Sequence, residues 1–112
     1  MDFNNWKTQL RKGLLEMAAL NLLRNGKIYG YEMVQKLKRL DGLKIREGNI
    51  YAILTRLRID GLVKSGEEVS EDGPPRIFFE LTKQGWKILE EMNDHWDAVK
   101  KGIEVVIKKA IK

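Results

Sequence analysis

The chain has 112 residues, no cysteine, and 21 Lys and Arg against 16 Asp and Glu, a formal charge of +5. That length implies one domain with a modest core, for which pairing with a second copy is a common route to stability. A disulfide framework and thiolate chemistry are excluded. With neither a signal-peptide pattern over Met1–Trp6 nor an apolar run near the roughly 20 residues of a membrane span, the expectation is a soluble, cytoplasmic protein without a membrane partner.

Leu10, Leu14, Met17, Ala18, Leu20, Leu22 and Leu23 predict an apolar helix over about Thr8 to Arg24, set in the core and ended by Asn25-Gly26. Tyr29-Gly30-Tyr31 opens a second helix, in which Met33, Val34, Leu37 and Leu40 keep helical spacing until Asp41-Gly42 stops it. From Arg46 to Gly61, Ile50, Ile53, Leu54 and Leu57 fall at i, i+3, i+4 and i+7 on one stripe. Asn49, Ala52, Thr55 and Arg56 are left on or beside the opposite face, which is small, polar and basic and suits a DNA groove.

Leu62-Val63-Lys64 and Ile77-Phe78-Phe79-Glu80-Leu81 have strand composition, and the stretch between them is polar. This predicts a β-hairpin with a long, partly mobile tip, so the order is a recognition helix followed by a wing. Thr82 can cap a last helix, along which Leu89, Met92, Trp96, Val99, Ile103 and Val106 step by 3, 4, 3, 4 and 3 as a heptad seam. From Lys83 to about Ile111 that helix spans roughly 43 Å at about 1.5 Å per residue, more than a small domain covers, so its seam calls for another chain. Gly102 within it fits either a local bend or a close helix approach. The fold class is mainly α with a small β-hairpin (α+β), divided into a DNA-binding domain over 1–82 and a dimerisation helix over 83–112.

Residues 1–66 hold 13 Lys and Arg against 6 Asp and Glu, whereas residues 67–112 hold 8 against 10. The basic half points to a polyanion partner, with nucleic acid the leading class. Asn49 and Thr55 can hydrogen-bond bases or phosphates, Arg56 can pair with phosphate or guanine, and Ala52 allows close approach or touches a thymine methyl. Tyr51 lies at the flank and suits a phosphate. Arg11, Lys12, Lys44, Arg46 and Arg76 can form a phosphate-positioning rim, each weighed against an ordinary surface cation. Ser65 and Ser70 have no His in a plausible dyad, and the sequence has no metal-ligand cluster and no Gly-rich phosphate loop, so neither an enzyme nor a cofactor is expected.

Gln9-Leu10-Arg11-Lys12-Gly13, Tyr29-Gly30-Tyr31-Glu32, Gly48-Asn49-Ile50-Tyr51 with Leu57 and Asp60-Gly61-Leu62, and Leu81-Thr82-Lys83-Gln84-Gly85 together resemble the PadR family of bacterial transcription regulators, short-chain branch. The resemblance implies a winged helix-turn-helix protein that forms a homodimer and binds a roughly two-fold symmetric operator in double-stranded DNA near genes it represses. It favours Arg46 and Arg76 among the rim residues. Similar proteins release DNA on binding small, often aromatic molecules, and multidrug-sensing members have a Trp matching Trp96. Trp96 is therefore either a bulky dimer-core residue or a stacking platform, with Met92, Val99 and Leu89 around a small aromatic effector. The family's wing usually carries several basic residues, whereas Gly73-Pro74-Pro75-Arg76-Ile77 retains Arg76 alone, and Glu67, Glu68, Glu71 and Asp72 would repel phosphates unless the hairpin points them away. Two alternatives are a winged-helix protein interaction module and a small-molecule carrier without operator binding.

Overall fold

The computed structural model describes residues 1–43 and 45–110. Helix α1 (Phe3–Leu22) begins where the Asp2 carboxylate accepts a hydrogen bond from the Asn4 N–H at 2.9 Å, satisfying a donor the helix start would leave open. It therefore starts at Phe3 rather than at Thr8. Only its second half is core, with Leu15, Ala19 and Leu20 buried, while Phe3, Trp6 and Leu10 are exposed, Leu10 at 46%. A helix of 20 residues is about 30 Å long, the width of a small domain, so one end overhangs. The expectation of a first helix set in the core holds for its second half alone, for that reason.

A 3₁₀ turn (Leu23–Asn25) and Gly26 at φ 124° lead into strand β1 (Ile28–Tyr29) and then helix α2 (Gly30–Lys38). The Glu32 carboxylate reaches back to accept from the Tyr29 N–H at 3.2 Å, fixing the start of α2. Helix α3 (Glu47–Ile59) buries Ile50, Leu54 and Leu57, with Ile53 partly buried, as the stripe predicts. It ends in a Schellman arrangement. The Leu62 N–H donates to the Leu57 carbonyl at 2.9 Å and the Gly61 N–H to the Arg58 carbonyl at 3.0 Å, with Gly61 at φ 78°.

Strands β2 (Val63–Glu68) and β3 (Arg76–Leu81) form the expected hairpin, but the sheet has a third strand, in the order β1-β3-β2, all antiparallel. β1 pairs Ile28 with Phe79 and Tyr29 with Phe78. Two residues are too short a run for a period-2 signal, so only tertiary contact reveals this strand. β2 also extends further than expected, placing Glu67 and Glu68 on the strand and not in the tip. Val63, Phe79 and Ile28 face the core, so Glu68, Gly66 and Phe78 share the outer face.

Helix α4 (Lys83–Ala110) is locked onto the end of α3. Thr82 Oγ1 donates to the Gly61 carbonyl at 2.6 Å and accepts from the Gly85 N–H at 2.9 Å, so the predicted cap also ties the two helices together. A Cβ on Gly85 would lie 2.0 Å from the Leu62 carbonyl oxygen, so only glycine permits this approach. Asn21 of α1 and Asn93 of α4 exchange two side-chain hydrogen bonds of 2.9 Å, bracing the helices. Leu89 is 1% exposed inside the chain's own core, so the seam open to a partner begins beyond it. Met92 and Trp96 are half-buried, and from Ala98 to Lys109 the helix is exposed, including Val99, Ile103, Val106 and Ile107. The molecule is accordingly elongated, 62 × 30 × 21 Å. Ile111 and Lys112, assigned to the terminal helix domain, lie outside the described residues.

Candidate nucleic-acid interface

Successive helical residues are rotated by about 100°, so burying Ile50, Leu54 and Leu57 leaves Gly48, Ala52, Thr55 and Ile59 as the exposed ridge of α3. Asn49 and Arg56 fall on one flank, Tyr51 and Arg58 on the other. Each flank borders a groove. The α1-side groove, about 500 Å³, is lined by Thr8, Arg11, Lys12 and Glu16 of α1 and by Asn49, Ala52 and Arg56 of α3. The wing-side groove, about 570 Å³, is lined by Tyr31, by Tyr51, Thr55 and Arg58 of α3, and by Ser65, Pro74, Pro75 and Arg76 of the hairpin.

In the α1-side groove three cations meet one carboxylate. Arg56 Nη1 stands 3.6 Å from Glu16 Oε1, with the Arg56 side chain 69% exposed and Glu16 25% exposed. Solvent screens such a pair, which contributes no more than about 1 kcal/mol to stability, so Arg56 remains available to a ligand. Arg11 Nε is buried without a hydrogen-bond partner. The groove thus offers donors from Arg11, Lys12, Asn49 and Arg56 beside an acceptor of full negative charge.

The wing-side groove has a different chemistry. Its charged lining residues are Arg58 and Arg76, and the Arg76 guanidinium sits 5.6 Å from the centre of the Tyr29 ring, a cation–π contact. Tyr29 in turn stacks on Tyr31, with centroids 6.1 Å apart and planes 6° apart. The Tyr29 hydroxyl and the Lys27 ammonium both donate to the Glu68 carboxylate, and Lys27 Nζ also lies 4.8 Å from the centre of the Phe78 ring. Lys27 and then Tyr29 hold the Glu68 carboxyl below the ordinary glutamate range, while bonding to Glu68 raises both Lys27 and Tyr29. Glu68 is therefore charge-paired on the outer face of the sheet, which it shares with its cross-strand partner Arg76. Its repulsion of phosphate is offset by the neighbouring cations Lys27 and Arg76, while Glu67, opposite Ile77, shares the face of Ser65.

Of the residues expected to meet DNA, Asn49, Ala52, Arg56, Arg11 and Lys12 come together on one side of α3, and Tyr51, Thr55 and Arg76 on the other. Arg46 is exposed at the N-cap of α3 and lines neither groove. Lys44 lies outside the described residues. Sequence reasoning missed Arg58, although its place three residues after Thr55 and seven after Tyr51 puts it on their flank. It also missed Tyr31, Thr8 and Glu16, which are brought in by other helices and have no sequence signal of proximity. Met92, Trp96 and Val99 are accessible on α4, but Leu89 is enclosed by the monomer's core and faces no open surface.

A three-helix body that presents its third helix between two basic grooves, followed by a β-hairpin beside that helix, defines a winged helix-turn-helix protein. The chain belongs to the PadR-like family of transcriptional regulators, whose model matches residues 19–91. It is similar to a PadR-like transcriptional regulator from Bacillus cereus, 30% identical over 88% of this chain and 96% of that one, with a TM-score of 0.78. A PadR-like transcription factor from Bacteroides fragilis is 35% identical over 91% of this chain and 98% of its own, with a TM-score of 0.75. A PadR family regulator from Eggerthella lenta is 28% identical over 94% and 91%, with a TM-score of 0.79. PadR-like proteins are DNA-binding transcriptional regulators and not enzymes. No described helix is long and apolar enough to cross a membrane.

Proposed function

We propose that the protein is a homodimeric, sequence-specific repressor, with α3 entering the major groove of double-stranded DNA and its two copies reading half-sites about 34 Å apart. The observation that carries this reading is the exposed ridge of α3 between two grooves whose charged residues are mostly cations. Dimerisation through α4 is supported by the apolar residues left uncovered at Val99, Ile103, Val106 and Ile107. Phe3, Trp6 and Leu10 at the overhanging end of α1 add uncovered apolar surface.

Fluorescence anisotropy with duplexes selected from a random pool tests DNA recognition. A selected duplex binds more tightly than a scrambled one, and its affinity falls by about 0.9 log units per log unit of salt for each phosphate contacted. Equal affinity for every duplex overturns sequence-specific regulation. Repression, and its relief by a planar aromatic effector held between the two copies near Met92, Trp96 and Val99, completes the proposal. Such an effector shifts the equilibrium only by its differential affinity for the DNA-competent and incompetent spacings. Planar aromatics quench the emission of the wild-type protein more than that of Trp96→Phe and release a reporter gene in cells. Equal quenching in both proteins removes Trp96 from the site.

A further inference from the structure

We infer that Glu16 is a specificity-determining residue, which sets a charged acceptor beside Arg56 and keeps phosphate out of the α1-side groove so that this flank of α3 reads base edges. The inference rests on the DNA-binding reading and gives its two flanks different tasks. Among the described residues, Glu16 is the one carboxylate lining either groove, and it is three-quarters shielded on the α1 wall. It pairs across the groove with Arg56 of α3 at 3.6 Å, while Arg11, on the same helix and in the same groove, keeps a buried Nε without a partner. The carboxylate is therefore directed at the recognition helix.

Phosphate carries only negative charge and acceptor oxygens, so it gains from Arg11, Lys12 and Arg56 but is repelled by Glu16. A base edge carries both polarities. Cytosine N4 and adenine N6 donate to a carboxylate, and guanine N7 and O6 accept from an arginine. A groove that sets Glu16 beside Arg56 and Asn49 accommodates such a mixed pattern and disfavours a phosphate. The Glu16 carboxylate stands 3.6 Å from the Arg56 guanidinium without a hydrogen bond, so the donors of Arg56 stay open to a ligand beside a charged acceptor. On the wing side the nearest such acid, Glu68 opposite Arg76, lies outside the lining and is already bonded to Lys27 and Tyr29.

Glu16→Gln tests this, because glutamine keeps the shape and an acceptor oxygen but not the charge. Affinity is measured by anisotropy on the duplex selected by the wild-type protein and on its scrambled version, over a series of KCl concentrations, with thermal unfolding in parallel. The scrambled duplex binds the variant several-fold more tightly, its salt slope steepens by about 0.9 for one added phosphate, and the ratio between the two duplexes falls. In an Arg56→Ala background, Glu16→Gln still tightens binding of the scrambled duplex, because the repulsion of phosphate from Arg11 and Lys12 does not need Arg56. If the wild-type protein discriminates and the variant discriminates equally well, Glu16 is an ordinary surface ion pair and the inference falls alone. If affinity for both duplexes drops in step with the unfolding temperature, it is a brace between α1 and α3, and the inference falls as well. Wild-type protein that prefers no duplex overturns the parent reading along with this one.

Discussion

The two grooves beside α3 share a helix but differ in kind. On the α1 side, Asn49, Arg56 and Glu16 place donors and a charged acceptor together. On the wing side, Arg58 and Arg76 stand among tyrosine and serine hydroxyls, and the nearby acid Glu68, opposite Arg76 in the sheet, is bonded to Lys27 and Tyr29. Base edges demand mixed hydrogen-bonding polarity, whereas the phosphate backbone demands only positive charge and donors. Under the proposed DNA-binding role, one helix divides its work, with discrimination on one flank and anchoring on the other.

The largest expected effect leaves that division intact. Val99→Asp puts a charge on the exposed seam of α4 and separates the two copies, so both grooves lose their second half-site at once. Binding to a two-fold operator falls by about 10²- to 10⁴-fold, the usual gain from linking two sites, and sedimentation shows a monomer. The monomer still distinguishes the two flanks in its residual binding. A dimer that persists in this variant places the interface elsewhere.

The next effect addresses the comparison itself. Asn49→Ala or Arg56→Ala lowers discrimination between the preferred duplex and a scrambled one by about 1–3 kcal/mol. Arg58→Ala or Arg76→Ala instead weakens binding to both duplexes alike and lowers the salt slope by about 0.9 for each contact removed. Anisotropy titrations at several salt concentrations separate the two outcomes. Identical behaviour of all four variants erases the distinction between the flanks.

Much of this arrangement was legible in the chain because it is local. The stripe of Ile50, Leu54 and Leu57 identifies the buried side of α3, and hence its exposed ridge, and Asp60-Gly61 marks the turn that the Schellman bonds complete. What stayed hidden depends on packing between distant segments. Glu16 reaches Arg56, and Lys27 reaches Glu68, only after helices and strands have docked. Leu89 has the spacing of the partner-facing seam yet is enclosed by the monomer, because the first turns of α4 lie against the domain before the helix emerges. Periodicity shows which side of a helix is apolar, and it does not show whether its own chain or another covers that side.

The smallest expected effect tests how the wing is held. Glu68 lies below the ordinary glutamate range because it accepts from Lys27 and Tyr29, so its contribution to folding is present above that range and fades as pH falls through the depressed value. Lys27 and Tyr29 are raised by the same carboxylate, so their contributions are present below their ordinary values and are lost as pH rises through the raised ones. The clamp is therefore intact across the window between the ordinary glutamate range and the ordinary tyrosine range. Within it, Arg76 keeps its place over the Tyr29 ring. Glu68→Ala frees the Tyr29 hydroxyl and loosens the wing, which weakens binding to every duplex by less than Arg76→Ala does and leaves the preference among duplexes unchanged. Tyr29→Phe retains the ring and the stack on Tyr31 while losing the hydroxyl bond, so it should have an effect smaller still. In an Arg76→Ala background, neither substitution weakens DNA binding further if the clamp acts through Arg76. A full additional loss there means that Glu68 supports the sheet independently of the Arg76 contact.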